Sequence, residues 1–141
     1  MHKAITLKKI EQIQGLLKEL DIFVGRSFGE FDDDISLVRA SERNLQLIVE
    51  LASDINTAIL IGELGKTPES YRQSFGNLEK AGILRGEYVT QLFNSVKLRN
   101  ILIHEYEFDE NFEIFYTSLK KIIPAYREYT KAILEHTGKH S

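Results

Sequence analysis

The chain has 141 residues, of which 43% are hydrophobic and 28% charged, with 2 prolines, 9 glycines, no cysteine and a formal net charge of -3. This composition predicts one globular domain, 1–141, with a sizeable core. It excludes disulfides, thiolate metal ligands and a cysteine nucleophile, and its acidic balance argues against a surface that grips nucleic acid all over, while leaving room for a local positive cleft.

The first helix is expected over residues 3–21, where Leu7, Ile10, Ile13, Leu17 and Leu20 recur at three- and four-residue steps. The stretch 29–34 reads as a connector. Its acidic run Asp32-Asp33-Asp34 suits a cap for the next helix better than a cation site, because carboxylates meet free N–H groups at a helix start. A long second helix follows over 35–61, with Val38, Leu45, Ile48, Val49, Ala52, Ile55 and Ile59 as its buried stripe. Arg39, Glu42 and Arg43 fall on one side of it. Gly62 and Gly65 close it, and the G-x4-G-K-[ST] spacing of a phosphate loop is missing around Lys66. Thr67-Pro68 reads as cap and first residue of a third helix ending near Lys80. After a turn around Gly82–Gly86, a fourth helix runs from about residue 87. Asp109 is the expected cap of the last helix, which extends to about His136, and Pro124 inside it predicts a kink or a split. The sequence thus predicts an all-α antiparallel bundle of about five helices. No apolar run is expected to reach the length of a membrane span, and Met1-His2-Lys3-Ala4-Ile5-Thr6 lacks the apolar core of a signal peptide. A cytoplasmic location without a membrane partner is the expectation.

The fourth helix leads into Arg99-Asn100-Ile101-Leu102-Ile103-His104-Glu105-Tyr106. At about 100° per residue, Arg99 and Tyr106 are nearly eclipsed, and Asn100 and His104 form an i,i+4 pair. His104 lies roughly 140° from Arg99 in an unbroken helix. A second copy of the motif, or a bend after His104, is needed to bring the two together. Arginine offers a permanent cation with a fork of donors that matches phosphate, and histidine exchanges a proton near neutral pH. Together they suit phosphodiester cleavage through a ribose 2′-hydroxyl, which confines the substrate to RNA. The bland reading stands beside this one. Under it His104 caps a helix end, Arg99 is a surface ion-pair partner and Tyr106 is a core aromatic with a wet hydroxyl.

The string resembles the R-x4-H-x-Y motif of the HepT-like family, within the wider group of helical HEPN domains. Arg99, His104 and Tyr106 match it, and Asn100 matches the asparagine usual after the arginine. Glu42 to Glu50 is similar to the family's second helix, Asp54-Ile55-Asn56 to its short D-I segment, and Pro68-Glu69-Ser70-Tyr71 through Gly82-Ile83-Leu84 to its middle section. Many relatives carry a histidine just after the D-I pair, where this chain has Asn56-Thr57-Ala58.

The resemblance implies the toxin of a type VII toxin–antitoxin system. It implies a metal-independent endoribonuclease, without cofactor, that acts on RNA as a homodimer with both motifs lining one cleft. Arg99 and His104 would be catalytic, and Asn100 and Tyr106 substrate-orienting, with Arg43 and Asp54 as cleft borders. A cognate small nucleotidyltransferase antitoxin would silence it by transferring AMP to Tyr106. The alternative is a non-catalytic helical partner, or substrate-binding subunit, of a nucleotidyltransferase.

Overall fold

A computed structural model describes residues 2–104 and 112–139, with the side chains of His2, His104 and Lys139 outside the description. In chain order it forms α1 (His2–Val24), α2 (Phe28–Asp32), α3 (Ile35–Ile59), a π-helical turn (Leu60–Leu64), α4 (Tyr71–Lys80), α5 (Tyr88–His104) and α6 (Phe112–Lys139). The described residues contain no strand. The fold is the all-α bundle that the apolar periodicity predicts.

α3 is the central element, packing against α1, α4 and α5. Its stripe from Val38 through Ile59 is buried, and the stripe of α1 meets it with Ile10, Ile13, Leu17 and Leu20. The pairings fix the directions. Asn44 Nδ2 donates to the Leu16 carbonyl at 3.3 Å, while Lys9 meets Asp54 at 3.4 Å, so α1 and α3 are antiparallel. His136 meets Glu63 at 2.8 Å and the Tyr129 hydroxyl lies 3.1 Å from the Ala52 carbonyl, so α6 runs the same way as α3 across the core. α5 opposes both. Ser95 and Tyr126 share a hydrogen bond of 2.7 Å between α5 and α6, and Arg99 reaches Glu50 on α3.

Several local expectations change. Residues 29–34 are largely helical. Ser27 and Glu30 form a reciprocal capping box at the start of α2, and Phe31 is buried against Phe115 and Tyr116 of α6. The acidic run does supply a cap, since Asp34 Oδ1 accepts from the Leu37 N–H at 3.1 Å. α4 starts at Tyr71 rather than at Pro68. Ser70 is extended and its Oγ accepts from the Gln73 N–H at 3.0 Å. Gln73 Oε1 reaches back to the Glu69 N–H at 2.5 Å. These two side-chain bonds outweigh the Thr67-Pro68 signal, which satisfies no comparable pair of donors. α6 continues through Pro124 without dividing; its flanking residues Ile123 and Ala125 are buried, so packing on both sides holds the helix together despite the missing donor. The predicted cap Asp109 lies outside the described residues.

One compositional reading also changes. The segment Ile35–Leu64 is long and apolar enough to cross a membrane by length and composition. Half of its apolar window is buried inside the bundle, so its apolarity is explained by its place as the core helix around which the others pack.

Candidate active site

α5 carries the motif. Val89, Leu92 and Val96 are buried on its inner face, and the helix continues unbroken to His104. Arg99 and His104 therefore keep the separation of an uninterrupted helix, about 140° around the axis and 7.5 Å along it. The backbone of one protomer does not converge them on a common face. The imidazole of His104 and the whole of Tyr106 lie outside the described residues.

Arg99 sits where α3, α4 and α5 meet. Its guanidinium carbon lies 4.6 Å from the centroid of the Tyr71 ring at the start of α4. One terminal nitrogen, Nη2, is 3.5 Å from Glu50 Oε1 on α3. The other, Nη1, donates to Asn100 Oδ1 at 3.2 Å. The side chain is only 14% exposed. Its Nε is sealed from solvent with no acceptor among the described residues. A buried unpaired donor costs about 1–3 kcal/mol, and such costs are characteristic of sites held for function rather than stability. The cation is thus held on a flat aromatic face and by two acceptors at moderate to long range. Neither contact has the short fork-to-fork geometry of a strong arginine–carboxylate pair, so its terminal N–H groups can be surrendered to a phosphate.

Asn100 is exposed and touches Arg99. Arg43 and Asp54, the expected cleft borders, share the face of α3 that carries Glu50, seven residues before it and four after it. Neither touches Arg99. Arg43 Nη1 donates to Gln46 Oε1 at 3.4 Å, and Asp54 is engaged by Lys9. Because α5 opposes α3, its end at His104 points toward the level of Arg43 and away from Asp54. Glu50 and Tyr71 were not singled out from the sequence as site residues. Their link to Arg99 is tertiary, and the only local sign of it is that Tyr71 directly follows a strong helix cap.

On the other side of α5 a groove of about 590 Å³ runs against α6, lined among others by Asn94, Lys97, Ile101, Thr117 and Lys121. Lys97 on α5 and Lys121 on α6 bring positive charge to this groove, with the carboxylate of Glu113 also in its lining. No cluster of three or more histidine and carboxylate side chains with metal-binding geometry occurs among the described residues.

Comparison with known proteins follows the same residues. The family model described as ribonuclease HepT-like matches residues 8–133. A tRNA nuclease HepT from Aphanizomenon flos-aquae (strain 2012/KM1/D3) is 35% identical over 100 residues, covering 70% of this chain and 67% of that protein. Among solved structures, a tri-AMPylated HEPN toxin from Shewanella oneidensis in complex with an MNT antitoxin superposes with a TM-score of 0.84 at 25% identity, covering 93% of this chain and 97% of that one. A MntA–HpeT toxin–antitoxin complex gives 0.82 at 26% identity, with coverage of 94% and 98%. With the motif intact and the match spanning all but the ends of the sequence, the chain belongs to the ribonuclease HepT-like family.

Proposed function

We infer that the protein is an RNA-cleaving toxin whose active unit is a homodimer, and that its cognate nucleotidyltransferase antitoxin silences it by adding AMP to Tyr106. The observation that carries this reading is the state of Arg99. It is a shielded cation of the R-x4-H-x-Y motif, resting on an aromatic ring with its terminal nitrogens loosely held.

The chemistry is transfer of a phosphoryl bond within RNA. A basic His104 takes the proton from the ribose 2′-hydroxyl, whose oxygen attacks the adjacent phosphorus. The P–O5′ bond breaks, and the departing oxygen takes a proton from a protonated histidine. The products are a 2′,3′-cyclic phosphate and a free 5′-hydroxyl. Arg99 binds the scissile phosphate and offsets the charge that grows on the equatorial oxygens. Asn100, in contact with Arg99, fixes its fork. Because α5 continues unbroken through His104, Arg99 of one protomer works with His104 of the partner subunit, the same histidine serving as base and then as acid, and the dimer carries two such sites. Arg43, toward which the end of α5 points, borders that cleft, and Asp54 marks its far rim. The name of the A. flos-aquae relative makes tRNA the first substrate to try.

AMP on Tyr106, two residues beyond His104, adds a phosphate that competes with RNA for the arginine. The tri-AMPylated state of the S. oneidensis toxin supports this mode of control. A soluble cytoplasmic complex is the setting it requires. Purified, chelator-treated protein should cut RNA and leave DNA intact. Failure to cut any RNA, together with intact docking to the nucleotidyltransferase, would favour a non-catalytic partner instead.

A further inference from the structure

We propose that Tyr71 is a positioning residue for the ribonuclease reaction, acting through Arg99, and that a buried hydrogen-bond relay from α6 holds it in place. The inference rests on the ribonuclease reading above, and assigns how the phosphate-binding cation is presented.

Arg99 needs support that does not cancel its charge. A second carboxylate close to the guanidinium would hold it but would compete with the substrate phosphate. An aromatic face attracts the cation through its quadrupole and leaves the edge N–H groups available. Tyr71 provides that face at 4.6 Å, while the two terminal nitrogens make their own contacts to Asn100 and Glu50.

Tyr71 is itself unusually well fixed for the first residue of a helix. The Ser70 and Gln73 side chains cap the backbone on either side of it. Its own carbonyl accepts from Ser74 Oγ at 2.7 Å. That hydroxyl in turn accepts from Asn56 Nδ2 at 3.1 Å, and Asn56 Oδ1 accepts from the Tyr129 hydroxyl at 2.6 Å. Asn56, Ser74 and Tyr129 are each fully buried. A relay of this kind is directional, because every member has its partner and no water competes. It ties the start of α4 to α3 and α6. The same two helices are fastened a second time with the roles reversed, Arg72 of α4 lying over the Phe93 ring of α5 at 4.6 Å. The stack under Arg99 is therefore part of a rigid α4–α5 contact rather than a chance meeting of two surface side chains.

The test compares wild type with Tyr71→Phe and Tyr71→Leu, each in the Arg99 and the Arg99→Lys background. Single-turnover cleavage and RNA binding are measured with one tRNA substrate. Nitrogen-15 spectra report the Arg99 Nε–H resonance. Tyr71→Phe keeps the ring and should cleave within about twofold of wild type. Tyr71→Leu keeps apolar bulk but loses the ring face, and should cleave roughly tenfold more slowly with an unchanged circular dichroism spectrum. Its Arg99 Nε–H signal should lose the ring-current shift and exchange faster with solvent. In Arg99→Lys the same change should cost little. Equal losses in both backgrounds would overturn the proposal, as would Tyr71→Leu cleaving at the wild-type rate. If wild type cleaves no RNA, the ribonuclease reading falls. The positioning claim is then decided by the Nε–H resonance and RNA affinity, and it fails if Tyr71→Leu leaves both unchanged.

Discussion

Arg99 and Glu50 stand 49 positions apart in sequence, yet their side chains meet at 3.5 Å between α5 and α3. At this distance the carboxylate orients the guanidinium without holding it in a tight fork. The pair is one that a phosphate can displace.

A charge-removing change at Glu50 should therefore favour RNA. Glu50→Gln keeps an acceptor near Arg99 and deletes the competing charge. RNA affinity should rise about two- to fivefold, equivalent to ~0.5–1 kcal/mol for a partly exposed pair. Fluorescence anisotropy with a labelled non-cleavable RNA measures it. Weaker binding would mean that Glu50 is required to build the site rather than to hold its cation in reserve.

The buried relay makes a stability prediction. Tyr129→Phe conserves shape but removes the hydroxyl that donates to Asn56 Oδ1. A buried acceptor without its donor costs about 1–3 kcal/mol, to be read from urea unfolding. Burial also pushes the Tyr126 and Tyr129 hydroxyls well above the usual tyrosine range. The folded chain thus keeps these protons at a pH where the unfolded chain, with a tyrosine pKa of about 10, gives them up. Stability should be fully present below pH ~10 and fall as the pH rises above that value. The fall should be shallower in Tyr129→Phe. An alkaline stability profile identical in the two proteins would contradict the assignment.

How much of this was legible in the sequence follows from the range of each interaction. The buried stripes of α1 and α3 are local periodicity, and the structure buries those residues. The S-x-x-E signal at Ser27 and Glu30 was also local. It was masked by the glycine and acidic residues around it, which read as a connector. Two cap signals compete between Thr67 and Gln73, and the one with reciprocal side-chain bonds sets the start of α4. The surroundings of Arg99 were not legible. Glu50 looks like any charged position on an amphipathic helix, and Tyr71 like any core aromatic. Only the packing of three helices makes them neighbours. The angular separation of Arg99 and His104 was legible, because it depends on the helix alone.

Modification of Tyr106 should be visible in intact mass. Incubation with the cognate nucleotidyltransferase and ATP should add AMP to wild type and abolish RNA cleavage. Tyr106→Phe should not take up the adduct at that site. Labelling of Tyr106→Phe at the wild-type rate would place the acceptor elsewhere.

The two motif residues should be separately essential. His104→Ala removes proton transfer and should slow cleavage by about 10² to 10⁴ without unfolding the chain. Arg99→Ala should lose comparably through the phosphate contact, and Arg99→Lys should recover little, since an ammonium lacks the planar fork. Wild-type rates in His104→Ala would indicate a contaminating nuclease or another site.

The central claim is that Arg99 and His104 meet across a dimer, and mixing the two inactive variants tests it directly. Sedimentation at micromolar concentration should first show a species of at least twice the 16.2 kDa monomer. Arg99→Ala and His104→Ala are then unfolded together and refolded as mixed dimers. A mixed dimer holds one intact Arg99 and one intact His104, on different protomers. If the pair works across the interface, activity should return, to roughly a quarter of wild type when subunits mix at random and each active mixed dimer carries one of two sites. Mixed dimers that form, as verified by mass, yet remain as inactive as either parent would contradict the account.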